Sequence, residues 1–408
     1  MKNGAIGVCI VVENLPVPLD RRVWQEALAL RDAGYRVSVI CPKRGEYQSA
    51  YDSREGIEIY RHSLWEASRP AGYLLEYAWA FIQQLRLGLK AYRRRRFHFL
   101  HACNPPDTIF LVGCFFRLLG VRFTFDQHDL NPELYEVKFG KKGGLFYRLV
   151  CLAERLTFGL AVVSFAPNDS YREIAIQRGG MRPEQTFVVR SSPGEATTHA
   201  GRAVENLKRG KRYLVLYLGV MGPQEGLELL LESILQVEKW RQKNDTQYVL
   251  IGAGSELPRL KQRVAEMDLR SVVHFTGRLP DRELPLYLST ADVGVAPDPK
   301  NVMNDKSTMN KVLEYMAYGR PVVLYDLMEG RRAAAAAALY ARPNDPEDFA
   351  RQIVTLLDSD ALRLQLGEEG KRRIAGELRW ELQKAELLRG YETALNASPG
   401  KRRSHRVV

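Results

Sequence analysis

What most restricts this chain is a regular alternation of strand-length apolar runs with segments whose apolar residues recur at helical spacing, repeated in two series. Residues 5–12 (AIGVCIVV) are an unbroken apolar run, DRRVWQEALALRDAGY has a helical period closed by Gly34, and VSVICP opens a second strand. HFLHACN, RFTFDQHD and AVVSFAPN continue as strands between PDTIFLVGCFFRLLG, a long helix through Leu145–Leu160 and SYREIAIQRGG. A second series begins at YLVLYLGVMGPQEGLELLLESI and runs through YVLIGAGSELPRLKQRV, VVHFTGRLP, ADVGVAP and PVVLYDL to DPEDFARQIVTLL. Strands apolar on both faces and alternating with helices predict an α/β architecture of two Rossmann-like, doubly wound parallel sheets. The polar stretch Ser191–Arg212 reads as the joint, giving domains at 1–195 and 213–378, a linker at 196–212, a final helix at 379–395 and a basic tail at 396–408. Open parallel sheets take ligands at the carboxyl ends of their strands, so a cleft between the domains is the expected site.

The 408 residues exceed one hydrophobic core, and 45% hydrophobic with 26% charged residues excludes a disordered or fibrous chain. Arg117 and Arg122 interrupt Leu111–Phe125, and Glu76 and Arg86 interrupt Tyr73–Tyr92, so no membrane span is expected. The N-terminus lacks the pattern of a signal peptide, and a cytoplasmic location is expected. Cys9, Cys41, Cys103, Cys114 and Cys151 match no metal-ligand spacing. Residues 1–200 hold 27 basic against 20 acidic side chains of a net charge of +12 overall. This imbalance suits phosphates, anionic lipid or nucleic acid, and solubility alone would also account for it. No nucleic-acid-binding motif accompanies it, so nucleic acid is not an expected partner.

The sharpest local signal is DKSTMNKVLEYMAYGRPVV, residues 305–323. Ser307 or Thr308 is a suitable N-cap, and Gly319 and Pro321 close the helix. Its N-terminus would offer backbone N–H groups and the positive dipole end to a diphosphate, with Lys306 and Lys311 adding charge. Asn310 and Glu314 share a face, where a carboxylate would accept from ribose hydroxyls. The same residues fit an ordinary amphipathic helix with Met309, Leu313 and Met316 in a core, and spacing alone leaves both readings open.

With ADVGVAP (291–297) and GAGSEL (252–257) before it, this segment resembles the retaining nucleotide-sugar glycosyltransferases of family 4. The resemblance spans nearly the whole chain, from DRRVWQEALALRDAGY to the terminal W-E-x-Q helix, and is most specific in the C-terminal motif. It implies the GT-B architecture, with the last helix crossing back onto the first domain. It further implies transfer of a sugar from a nucleoside diphosphate sugar, UDP in preference to GDP, with retention and without a bound metal or other cofactor. Polysaccharide or glycolipid assembly, with a glycan or lipid-linked acceptor, follows from family and charge. Glu314 matches the second glutamate of the family's E-x7-E motif, which holds the donor ribose. Ser307, Thr308 and Met309 then lie in the turn that meets the diphosphate, backed by Asn310 and Lys311. Where the family has its first glutamate this chain has Lys306, with Asp305 adjacent, and these two are candidates for the catalytic role. Relatives carry an arginine after the Gly219 position and a lysine before Gly226; Val220 and Glu225 stand there instead. Gly222 and Gly254 still allow close backbone approach, and Lys306, Lys311, Arg278, Arg331 or Arg332 are the available replacement cations.

In the first domain, His128 in FDQHDLNPE (125–133) matches a family histidine close to the transferred sugar; as a neutral imidazole it would hydrogen-bond a sugar hydroxyl, with Asp129 or Glu133 either orienting it or contacting the acceptor. His101 in HACNPPD, with Asn104 and Asp107, is a weaker candidate. Arg21 or Arg22 in LPVPLDRR would supply a missing phosphate contact, and a solvated capping turn fits those residues equally well. Residues 73–99 join an aromatic-rich helix to four arginines with no acid between Glu76 and Asp107, a pattern suited to peripheral contact with an anionic membrane or to a packed helix with a basic end. The alanines 333–338 fit a close donor approach or plain helix. Alternatives are a nucleotide-sugar epimerase of the same architecture and a non-catalytic nucleotide-sugar-binding scaffold; no G-x-G-x-x-G supports a dehydrogenase.

Overall fold

A computed structural model describes residues 5–63, 72–140, 142–193 and 201–397. Residues 196–200 of the expected linker and 398–408 of the basic tail lie outside the described residues, as do the side chains of residues 73–77. The chain forms two compact units, Met1–Arg190 with Gln383–Val408, and Ser191–Leu382.

The first unit runs β1 (Gly7–Val11), α1 (Arg21–Asp32), β2 (Arg36–Pro42), β3 (Tyr51–Arg54), β4 (Ile57–His62), α2 (Gly72–Arg94), β5 (Phe99–Cys103), α3 (Phe110–Leu118), β6 (Arg122–Asp126), α4 (Asn131–Phe139), α5 (Gly144–Leu160), β7 (Val163–Ala166), α6 (Asp169–Gln177) and β8 (Thr186–Val188). The sheet order is β3-β4-β2-β1-β5-β6-β7-β8. All neighbours pair in parallel except β3 with β4, a hairpin that the apolar runs did not announce. Glu55 and Gly56, both at positive φ, make its two-residue turn. β1, β5 and β7 are buried along their whole length, which is why they read as continuous apolar runs.

The second unit runs β9 (Tyr213–Leu218), β10 (Thr246–Ile251), β11 (Val273–Gly277), β12 (Val293–Ala296), β13 (Val322–Tyr325) and β14 (Ala338–Ala341), with helices at Leu227–Arg241, Leu257–Glu266, Leu284–Thr290, Asn310–Ala317, Met328–Ala334, Pro346–Leu357 and Asp360–Ala375. Its order, β11-β10-β9-β12-β13-β14, is wholly parallel. In both sheets the strand order reverses beside the first strand, at β1/β5 and at β9/β12, and the carboxyl ends there are the natural ligand positions. Ala333, Ala334 and Ala337 are buried in the second core, which accounts for the small residues of that run by packing.

The last helix, Trp380–Asn396, begins in the second unit and docks its end on the first. Tyr391 is fully buried there, with ring centroids 5.3 Å from Phe99, 5.5 Å from Tyr35 and 5.8 Å from Phe165. Gly390 precedes it because a Cβ would lie 2.4 Å from the Phe165 ring. The Tyr391 hydroxyl is hydrogen-bonded to His101 Nδ1 at 2.8 Å. No described helix is long and apolar enough to cross a membrane. Tyr391→Ala is expected to cost the first unit about 3–5 kcal/mol in urea unfolding, and Tyr391→Phe, which removes only the hydroxyl, about 1–3 kcal/mol.

Candidate functional site

In the first unit, the carboxyl ends of β1, β5 and β6 converge on Asp126, the last residue of β6, whose side chain is wholly buried. Arg22 reaches it from the first turn of α1 with a fork: Nε donates to Oδ2 at 2.9 Å and Nη2 to Oδ1 at 2.6 Å. Nη1 donates to the Val189 carbonyl at 2.5 Å, and Nη2 also lies 3.2 Å from Glu26. The guanidinium is therefore spent on protein groups, so the phosphate contact expected of Arg22 is not where the structure puts it. Arg21 is exposed, and Asp20 is the N-cap of α1, accepting from Val23 N at 3.1 Å.

Asp126 also holds His128, whose Nε2 lies 2.5 Å from Oδ2, leaving Nδ1 as the ring's other polar atom. Asp126 is thus the residue that orients His128, in place of the Asp129 or Glu133 expected from the sequence. Burial alone would raise the Asp126 carboxyl, but Arg22 and His128 hold it well below the usual range. Burial disfavours the charged form of His128, and Asp126 outweighs it, so the ring's pKa is raised above its ordinary value. His101, fully buried beside Glu26 at 3.4 Å, is pushed up to about 9 by Asp126 and Glu26 against the cost of burial.

Asn104 fixes the turn that carries His128. Its Oδ1 accepts from His128 N at 2.6 Å and Asp129 N at 3.2 Å, while Nδ2 donates to the Asp129 carbonyl and to Asp107 Oδ1, both at 2.8 Å. Burial raises the Asp107 carboxyl to about 7 despite hydrogen bonds from Asn131 and Asn104, and burial also raises Asp129, which His128 partly offsets. Glu133 belongs to another arrangement: both its oxygens accept from Arg178, at 2.8 and 2.9 Å, and Arg178 also holds Glu154, tying α4, α5 and the end of α6.

His101, Cys103 and Asp126 each offer an atom within 4.8 Å of the others, a set with metal-ligand chemistry. The surroundings do not suit a cation. The Arg22 guanidinium occupies both Asp126 oxygens, and burial holds the Cys103 thiol well above its ordinary value.

In the second unit the loops after β9 and β10 are zipped together by Gly219 N on Ile251 O, Met221 N on Ala253 O and Glu256 N on Met221 O, each at 3.0–3.1 Å. They touch so closely that a Cβ on Gly252, at φ +142°, would lie 1.8 Å from Gly219 O, and one on Gly254 would lie 2.3 Å from Met221 O. The N–H groups of Gly222 and Gly254 are not among those that close this zipper.

The Asn310–Ala317 helix follows β12 and starts later than the sequence implied, with Met309 at the N-cap position. Ser307 is no cap: residues 304–306 form a 3-10 turn, and the Ser307 hydroxyl bonds back to the Met303 carbonyl at 2.9 Å. Thr308 and Met309 complete the half-buried approach to the helix. Glu314 is half-buried one turn after exposed Asn310, on the same face. Lys311 is buried: Nζ donates to Asp298 Oδ1 at 2.8 Å and Glu225 Oε2 at 3.0 Å, over the Tyr217 ring. Two carboxylates already match its charge, so it is not the replacement phosphate cation foreseen for it. Burial raises Asp298 to about 6, although Lys311 pulls the other way.

Asp305 accepts from Met328 N at 2.8 Å at the start of the Met328–Ala334 helix, a structural duty in place of a catalytic one. Arg331 and Arg332 pair with Asp326 and Glu329. Lys306 is half-buried beside Ser307, and Arg278 is exposed just past β11 with no ion pair among the described residues. Sequence reasoning missed Arg22 with Asp126, Asn104 and Asp298 in these roles; the one available signal was a polar residue closing each apolar strand.

Models of two glycosyltransferase families match the chain: the glycosyl transferase 4-like domain over residues 19–191 and glycosyl transferases group 1 over residues 212–359. Alpha-D-kanosaminyltransferase of Streptomyces kanamyceticus is 26% identical over 178 residues, 43% of this chain and 44% of that protein. The chain spans about half the length of the first curated relatives it matches. The sucrose-phosphate synthase of Thermosynechococcus elongatus has a similar structure, with a TM-score of 0.77 at 17% identity over 96% of this chain and 100% of that one. So does an Anabaena protein crystallised with UDP and glucose, at 0.71 and 14% over 95% and 100%.

Two stability effects follow from the buried charges. Because the folded-state pKa of His101 is raised, its stabilisation is complete below about pH 6.5 and is lost as pH rises through about 9. The unfolding free energy from urea titration should fall between those values by on the order of 2–3 kcal/mol, and His101→Gln should flatten that fall. Lys311→Met strands Asp298 and Glu225 and is expected to cost the second unit about 3–5 kcal/mol by the same measurement.

Proposed function

We propose, on the premise that the chain belongs to the GT-B glycosyltransferases of the family 4 type, that it moves a sugar from a nucleoside diphosphate sugar to a hydroxyl acceptor with retention at the anomeric carbon. The observation that carries the donor side is the pairing, at the carboxyl end of the second sheet, of the zipped glycine loops with a helix that bears Glu314 one turn from its start. Glu314 accepts from the ribose hydroxyls, and backbone at Gly222, Gly254, Ser307, Thr308, Met309 and Asn310 receives the diphosphate. Arg278, exposed just past β11, is the cation proposed to meet it, since Lys311 is held by carboxylates. Each well-placed donor to a departing diphosphate is worth roughly 2.7–4 kcal/mol. UDP is favoured over GDP by analogy with the Anabaena neighbour, whose structure contains UDP.

The acceptor falls to the first unit, where His128, pinned by Asp126, presents Nδ1 to a hydroxyl of the transferred sugar. The acceptor oxygen attacks from the face the diphosphate leaves, forming the new C–O bond as the old one breaks. The hydroxyl proton passes to the departing diphosphate oxygen. No metal is required when helix starts, loop N–H groups and side-chain cations carry the charge. A glycan or lipid-linked acceptor at the inner face of the cell membrane suits the basic first unit.

Titration calorimetry with UDP, GDP, ADP and their sugar conjugates tests this reading. One nucleotide should bind selectively, and Glu314→Ala should weaken it more than tenfold; unchanged affinity would remove Glu314 from the ribose. Binding without turnover across a broad acceptor set would instead identify a scaffold.

A further inference from the structure

Helix α5 buries one face and bares another that is just as apolar. Glu154, Thr157 and Phe158 turn inward, with the Thr157 hydroxyl on the Asp107 carbonyl at 2.6 Å. On the opposite side Leu145, Leu149, Leu152 and Leu156, spaced four, three and four apart, form one stripe. With Phe146 they are 43–71% exposed, and Phe139 at the end of α4, which packs on α5, is 56% exposed. A soluble surface rarely gathers so many large apolar side chains without something to cover them.

The exposed charges on α5 and at the end of α4 have one sign. Arg148 and Arg155 flank it and Lys138 and Lys142 precede it, all four exposed. Lys142, Arg148 and Arg155 enter no ion pair among the described residues. Glu154, the helix's sole acid, is buried on Arg178. A second copy of the chain would set one cationic rim against another. A water-soluble anion would meet the cations and leave the leucines in water. An anionic bilayer satisfies both, because leucines enter the acyl boundary while arginines and lysines stay with the headgroup phosphates.

We propose that α5, with the end of α4, is the surface by which this protein lies on an anionic lipid membrane. The proposal goes beyond sugar transfer and holds whichever donor or acceptor is used. It also moves the contact away from residues 73–99, where among the described side chains Trp79 and Ile82 are the exposed large apolar ones of α2.

The test is flotation of the full chain with vesicles of phosphatidylcholine alone and of equal parts phosphatidylcholine and phosphatidylglycerol, without nucleotide or acceptor. Partition should be more than tenfold higher on the anionic vesicles and should fall with added salt. The double variant Leu149→Glu/Leu152→Glu should lose more than tenfold. Arg148→Glu/Arg155→Glu should lose at least as much, since each cation near such a surface contributes about fivefold. Ile82→Glu should change little, and the thermal melts of all variants should match the parent. Binding that survives both α5 variants, or that depends on Ile82 instead, would overturn the proposal. Equal binding to neutral vesicles would do so too, as would a concentration-dependent dimer abolished by Leu149→Glu/Leu152→Glu without vesicle binding. Vesicle binding by a chain that takes no nucleotide would uphold this surface while ending the transfer reading.

Discussion

The first unit depends on one buried carboxylate. Asp126 lies fully buried at the end of β6, and an ionised group there persists only if cations and hydrogen bonds replace its solvation. Arg22 replaces most of it with a two-bond fork, and His128 supplies the rest. Because Arg22 comes from α1 and also holds the Val189 carbonyl, the fork joins the start of the unit to its end. His101, between Glu26 and Tyr391, extends the network to the C-terminal helix. The orientation of His128 is therefore a consequence of how the core neutralises a charge, and a change at Arg22, Glu26 or Tyr391 would reach His128 through that carboxylate.

The second unit solves a similar problem with the signs exchanged. Lys311 is buried at the start of a helix, where the dipole already disfavours a cation, so it needs Asp298 and Glu225 to stay charged. Glu225 comes from the β9 loop and Asp298 from the segment after β12, so the lysine fastens the glycine loops to the helix that carries Glu314. The cost is functional: a lysine used as a fastener cannot neutralise a diphosphate. In the proposed reaction, backbone N–H groups and Arg278 would carry more of that work.

Local patterns were legible in the sequence where their cause was local. Strands buried on both faces read as apolar runs, and Asn310 and Glu314 share one helical face, as their spacing implied. The charge pairs were not legible, because each partner is set by the sheet order: Arg22 and Asp126 are 104 residues apart, and Lys311 and Glu225 are 86 apart. Basic residues near a motif thus read as phosphate ligands when the fold had already given them carboxylates. Ser307 misled differently. It is a good capping residue, but the 3-10 turn before it offered its hydroxyl a nearer carbonyl. The leucines of α5 were equally opaque, since periodicity says that a helix is apolar and cannot say which apolar face is covered.

The positive excess of residues 1–200 gains a location from the same pairs. At the carboxyl end of the first sheet Arg22 faces Asp126 and Glu26, and on the neighbouring helices Arg178 faces Glu133 and Glu154. Cations matched by two carboxylates each, buried Arg22 and half-buried Arg178, add no net positive charge. The excess sits on the exterior: Arg93, Arg94, Arg95 and Arg96 are exposed at the end of α2, and Arg117, Lys138, Lys142, Arg148 and Arg155 on or beside α3, α4 and α5. A long-range field from that face attracts extended anionic surfaces more than a single diphosphate, whose recognition needs short-range donors in fixed positions. Two sets of charges are thereby separated within the first unit: the polar network at the strand ends orients His128, while the helical exterior carries the net charge.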